Sequence, residues 1–122
     1  MKRLRESESV VKMQLTVDDF DGRNLKNTEP ILILFKAEWC PFCREFTPIF
    51  ESLRKAKLRF AIVDISDFDN PLWVTFDIDI VPTVLLFKSG KVIQRYDGVA
   101  GQGLNGAIVK EIILKLHSLQ NP

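Results

Sequence analysis

The chain has 122 residues, 46% of them hydrophobic and 27% charged, with nine Phe, two Cys and a formal net charge of +1. That length is one domain with room for a single core, and the near-neutral balance gives no basis for a nucleic-acid or acidic-substrate partner. No apolar run approaches ~18 residues, so no membrane span is expected; the charged opening Met1 to Ser9 also lacks the apolar core of a secretory signal, and the cytoplasm is the expected location.

Residues 1–9 read as a flexible charged tail, and residues 10–122 as one domain. Val10 to Val17 alternates apolar and polar and predicts a first strand. Asp18 or Asp19 caps a predicted helix running towards Asn27, which Glu29-Pro30 ends. Ile31 to Phe35 is an uninterrupted apolar run, the pattern of a central strand covered on both faces. From Pro41 to about Lys57 the spacing turns helical, with Phe42, Phe46, Ile49, Phe50 and Leu53 on one face.

Phe60 to Ile65 predicts a further strand, and Phe68 to Phe76 a weaker helix. Thr83 to Phe87 and Val92 to Tyr96, joined by Ser89-Gly90, predict a hairpin. Leu104 to Leu119 closes with an amphipathic helix carrying Leu104, Ala107, Ile108, Ile112, Leu116 and Leu119. The order β-α-β-α-β-α-β-β-α is that of an α/β domain with helices on both faces of a mixed sheet.

Both cysteines fall in Cys40-Pro41-Phe42-Cys43. Positions i and i+3 at the start of a helix lie within disulfide reach if the first adopts the non-helical cap conformation. Pro41 then takes the first helical position, where its missing N–H costs nothing. At the cap, Cys40 faces the unpaired N–H groups and the positive dipole end, both of which favour thiolate over thiol. Cys43, one turn further in, is placed to resolve a mixed disulfide formed at Cys40. A zinc site needs about four ligands, and beyond these thiols only His117 is available. A purely structural disulfide closes too short a loop to contribute much. Redox chemistry is the favoured reading.

These residues resemble the thioredoxin superfamily from Val10 to Leu119. Phe35-Lys36-Ala37-Glu38-Trp39-Cys40 is similar to that family's passage from strand to active site. Pro48, five residues after Cys43, stands at its helix proline. Val81-Pro82-Thr83 resembles its cis-proline loop, Phe87-Lys88-Ser89-Gly90 its hairpin, and Gly98 its glycine after the last strand. The resemblance implies a thioredoxin fold, with a central mixed sheet of about five strands flanked by about four helices. It implies Cys40 as nucleophile, Cys43 as resolving thiol, and support from Trp39, Pro41, Phe42 and a cis Pro82. Val81 would offer its backbone to an extended substrate, and Trp39, Phe42 and Val99 would frame an apolar docking surface.

Two departures carry physical consequences. The cysteines enclose Pro41-Phe42 rather than Gly-Pro, which is more similar to glutaredoxins and oxidising exchangers. A buried aspartate six residues before the first cysteine is replaced by Leu34, and its lysine partner by Ile62. Removing an anion from the neighbourhood of the thiols favours their reduced form, so a dithiol more oxidising than ordinary thioredoxin is expected.

Other signals carry less. Gly101-x-Gly103-x-x-Gly106 lacks the βαβ context of a dinucleotide site and reads as a flexible helix entry. Asp64, Asp67, Asp69, Asp77 and Asp79 lack the glycine and glutamate of an EF-hand and read as solvated caps. Lys36, four residues before Cys40, offers positive potential near the thiolate but reads first as an exposed surface lysine, and His117 reads as a surface or dipole-facing residue.

The expected function is thiol-disulfide exchange with protein disulfides through Cys40 and Cys43, as a monomer. No bound cofactor is needed beyond that redox-active disulfide, and an electron donor such as a flavin thioredoxin reductase or glutathione is implied. A glutathione-dependent glutaredoxin-like reductase and a non-catalytic thioredoxin-fold binding module are the alternatives.

Overall fold

The computed structural model describes residues 14–56 and 59–120. The expected tail, residues 1–9, and the start of the expected first strand, residues 10–13, lie outside the described residues. The strands are β1 (Gln14–Leu15), β2 (Phe20–Asp21), β3 (Asn24–Leu25), β4 (Ile31–Lys36), β5 (Phe60–Asp64), β6 (Thr83–Lys88) and β7 (Lys91–Tyr96). The helices are α1 (Pro41–Glu51), α2 (Leu72–Thr75) and α3 (Ala107–Gln120).

Five strands form one mixed sheet in the order β1-β5-β4-β6-β7. β5 runs parallel to β1 and β4, while β6 is antiparallel to β4 and β7. The apolar run of β4 takes the middle because both of its faces can be buried. Ile33 and Phe35 point into one cluster with Phe20, Phe76, Leu85 and Phe87. Leu32 and Leu34 point into the other, with Phe46, Phe50, Ile112 and Leu116 from α1 and α3. Each such side chain, fully buried, stabilises the fold by roughly 1.5–3 kcal/mol. The β6–β7 hairpin turns at Ser89 and Gly90, both at positive φ (56° and 80°), the geometry of a two-residue I′ turn.

Three expectations are corrected. No helix forms between Asp18 and Asn27: a single 3-10 turn, Val17–Asp19, is capped by Thr16, and the β2–β3 hairpin follows. Gly22, at φ 61°, makes that reversal, and the pairing of Phe20 with Leu25 buries both. The flanks of four helices therefore reduce to three among the described residues. The helix expected over Phe68 to Phe76 shortens to α2, because Asn70 Oδ1 accepts from the Leu72 amide and Pro71 starts the turn. In α1 the buried stripe is Cys43, Phe46 and Phe50, continued by Leu53, whereas Ile49 is 37% exposed.

Candidate active site

The site forms where β4 leaves the sheet. After Lys36 the chain turns through Ala37, whose carbonyl accepts from the Cys40 amide at 3.2 Å. Cys40 then caps α1 in an extended conformation (φ −100°, ψ 111°), and Pro41 takes the first helical position. The Cys43 amide donates to the Cys40 sulfur at 3.2 Å, so the cap side chain satisfies one of the orphan N–H groups of the first turn. Both cysteines are free thiols. Cys40 is 5% exposed and Cys43 only 1%.

Burial pushes the Cys43 thiol up from an ordinary 9.0 to about 12, and a hydrogen bond with the Cys40 side chain and repulsion from Cys40 act the same way. A hydrogen bond from the Ala37 backbone and the positive charge of Lys36 pull it down. At neutral pH the inner sulfur is therefore a thiol.

A second loop closes over the first. The Val81–Pro82 bond is cis, and the Cys40 thiol donates to the Val81 carbonyl at 3.4 Å. The Gly98 amide donates to Thr83 Oγ1 at 3.2 Å. A side chain on Gly98 would run into the Pro82 carbonyl oxygen, so only hydrogen fits there. Val99 pairs with Gly103 in a single antiparallel bridge. Gly103 lies flat on Phe42: a Cβ there would come within 2.7 Å of the Phe42 Cβ. Within the stretch expected as a flexible helix entry, Gly103 thus approaches Phe42 too closely for a side chain.

Trp39 flanks the other side. It is 48% exposed, and its Nε1 donates to the Ser66 carbonyl at 2.9 Å. Its ring stacks on Phe68 at 5.1 Å and on Trp73 at 6.3 Å. Phe68 is 74% exposed. Neither Phe68 nor Trp73 was expected at the site; the available signal was Phe68 interrupting the polar stretch Ser66 to Asn70, with Trp73 three residues beyond that stretch.

The folded chain therefore brings Cys40, Cys43, Val81 and Pro82 together, with Phe42 and Val99 joined through Gly103 on one flank and Trp39 on the other. Leu34 and Ile62 are register partners buried in the α1–α3 cluster, so apolar contact occupies that position. Asp64 and Asp67 accept from the backbone amides two residues ahead, at 2.8 Å each, as capping carboxylates do. Lys36, expected to be exposed, is partly buried and ion-paired to Asp64 at 3.8 Å. Among the described residues, no group of three or more His, Cys, Asp or Glu could hold a metal ion, and no helix is long and apolar enough to cross a membrane.

The thioredoxin family model matches residues 11–110. The chain belongs to the thioredoxin family. It is 31% identical over 98 residues to mitochondrial thioredoxin of Mus musculus, covering 78% of this chain and 58% of that protein. It is 30% identical over 110 residues to thioredoxin of Mycolicibacterium smegmatis, covering 87% of this chain and 96% of the relative. Thioredoxin H4 of Arabidopsis thaliana is 37% identical over 82 residues, 66% of this chain and 69% of the relative. The match spans 58% of the length of the mitochondrial relatives. The mixed five-stranded sheet is thus a thioredoxin-family domain, and its relatives include mitochondrial and bacterial forms.

Proposed function

We propose that this chain is a protein-disulfide oxidoreductase. The observation that carries the reading is the Cys40 sulfur at the cap of α1, with the Cys43 amide on one side and the Val81 carbonyl on the other. In the reducing direction the Cys40 thiolate attacks one sulfur of a substrate disulfide, and the other sulfur leaves as a thiolate. Cys43 gives up its proton and attacks the Cys40 sulfur. The Cys40–Cys43 bond forms, the bond to substrate breaks, and the chain is oxidised by two electrons as the substrate is reduced. Val81, beside Cys40, offers its backbone to an extended substrate segment. Reduction of insulin disulfides by the purified chain, dependent on Cys40, tests this reading; turnover that survives Cys40→Ser overturns it.

The electrons are held by the dithiol, and a flavin thioredoxin reductase or glutathione is the proposed donor. A single copy supplies every group of the site, which supports a monomer. A catalytic dithiol held as one Cys-x-x-Cys fits a reducing compartment, and the cytoplasm is the proposed location.

Leu34 and Ile62 support a dithiol more oxidising than ordinary thioredoxin, because no carboxylate stands at that place to oppose a thiolate. The expected standard potential is less negative than about −270 mV. Equilibration with glutathione buffers measures it, and a value at or below that figure rejects the assignment.

The docking surface we assign runs from Val99 and Phe42 across the cysteines to Trp39 and Phe68. Stacked aromatics of this kind bind with roughly 1–2 kcal/mol or more per anchor when a partner desolvates them. Trp39→Ala and Phe68→Ala are each expected to raise KM for a protein disulfide about tenfold while leaving the reaction with a small aromatic disulfide within about twofold. Equal losses on both substrates would show that these rings only support the fold.

A further inference from the structure

Cys43 stands at the edge of a pocket. Although nearly inaccessible, it lines an open pocket of about 240 Å³ with Lys36, Ala37, Glu38, Arg44 and Thr47. Resting on the disulfide-exchange reading above, we propose that Lys36 is the positioning residue for Cys43: its ammonium, anchored by Asp64 beside this pocket, stabilises the Cys43 thiolate during attack on the mixed disulfide.

Strand register and hydrogen bonds preset that charge. Lys36 and Asp64 are Cα partners at the ends of β4 and β5, with Nζ 3.8 Å from Oδ2. The other carboxylate oxygen, Oδ1, accepts from the Ser66 amide at 2.8 Å and from its hydroxyl. The same hydroxyl oxygen accepts from the Glu38 amide at 2.7 Å, tying the pair to the loop that carries Cys40. Of the other charges on the pocket, Arg44 Nη1 is turned to the Glu38 carbonyl at 3.0 Å, and the Glu38 side chain is exposed. Behind the hydrogen bond with the Ala37 backbone, the positive charge of Lys36 also favours the Cys43 thiolate.

The contribution grows at the step that needs it. In the reduced protein, hydrogen bonding with Cys40 and repulsion from it keep the Cys43 proton in place. Once Cys40 is tied up in a mixed disulfide its sulfur bears no charge and that repulsion is gone. Burial still opposes the thiolate, and the positive charge of Lys36 still favours it. The proton passes to a solvent base, the Cys43 sulfur attacks Cys40, and the substrate sulfur leaves as a thiolate.

Reaction with 5,5′-dithiobis(2-nitrobenzoate) separates the two steps. Attack by Cys40 breaks the reagent disulfide and releases one nitrothiobenzoate thiolate. Attack by Cys43 on the Cys40 mixed disulfide then releases the second and leaves the Cys40–Cys43 bond. The pH dependence of the second release reads the ionisation of Cys43, while the first reports a folded, reactive Cys40.

Lys36→Met is expected to move the second-release profile up by about half to one pH unit, slowing it roughly three- to tenfold at pH 7. Lys36→Arg should stay within about twofold of the wild type, because the charge is kept. Asp64→Asn should not slow the step, because it leaves the ammonium unopposed. An unshifted profile in Lys36→Met overturns the proposal. So does an equal slowing in Lys36→Arg or Asp64→Asn, which would mark the pair as a structural strut. Absence of any second release in the wild type would instead overturn the disulfide-exchange reading itself.

Discussion

Cys43→Ser is expected to stop turnover with the substrate still attached. The outer sulfur, Cys40, keeps its cap geometry and attacks as before, but a serine hydroxyl does not displace a thiolate from the mixed disulfide. Insulin reduction should fall by roughly two orders of magnitude or more, the scale on which loss of an essential nucleophile is read. A covalent adduct on Cys40 should accumulate and be released by dithiothreitol. Cys40→Ser should show the same loss of turnover with no adduct, because the remaining thiol is 1% exposed and its burial still opposes the thiolate.

The buried position of Cys43 adds a folding effect that needs its own control. A hydroxyl placed there without a partner costs about 1–3 kcal/mol, so Cys43→Ala, which buries no polar atom, should trap the same adduct with less destabilisation. Full turnover by Cys43→Ser in the presence of glutathione would show that an external thiol resolves the intermediate. The inner cysteine would then have lost the role assigned to it.

Gly98→Ala is expected to damage stability and activity together. The added methyl would run into the Pro82 carbonyl oxygen and approach Ile80 Cγ2 to 3.1 Å, and the first of these neighbours is backbone. Relief requires the loop to move, and overpacking of this kind costs about 1–3 kcal/mol. The same loop holds the Val81 carbonyl 3.4 Å from the Cys40 sulfur, so a shift of a few tenths of an ångström reaches the nucleophile. Activity on a protein disulfide should fall about tenfold or more, since docking against Val81 depends on that loop.

Gly101→Ala provides the comparison: it meets nothing within 4 Å and carries only the penalty of its positive φ, 76°, about 1–2 kcal/mol. Thermal unfolding and insulin reduction of both variants distinguish contact from conformational strain. Gly98→Ala with wild-type stability and turnover would mean that the loop has room that the geometry denies it.

What was legible in the sequence was local. The spacing of Cys40 and Cys43 with Pro41 between them defines a helix cap within four residues, and the cap forms as expected. The run Ile31 to Phe35 is apolar at every position, and it becomes the strand buried on both faces. Ser89-Gly90 supplies its own turn geometry. The error over Asp18 to Asn27 was local too. Thr16 and Asp19 do form the reciprocal cap of a helix start, but no apolar period follows, and Asp21-Gly22 reverses the chain instead.

The amino-acid sequence alone determined the dithiol, its place at a helix entrance and the α/β order around it, because each depends on residues a few positions apart. Tertiary structure decided which distant groups surround the two sulfurs. Parallel pairing of β4 with β5 sets Lys36 beside Asp64 and brings the loop after β5 to Trp39, where Ser66, Phe68 and Trp73 meet it. Close backbone approach, possible only without a side chain, seats Gly103 on Phe42 and Gly98 against Pro82. Those contacts join segments 16 to 61 positions apart, and hydrophobic periodicity has no reach over such separations. Strand register and the burial of both sheet faces supply it.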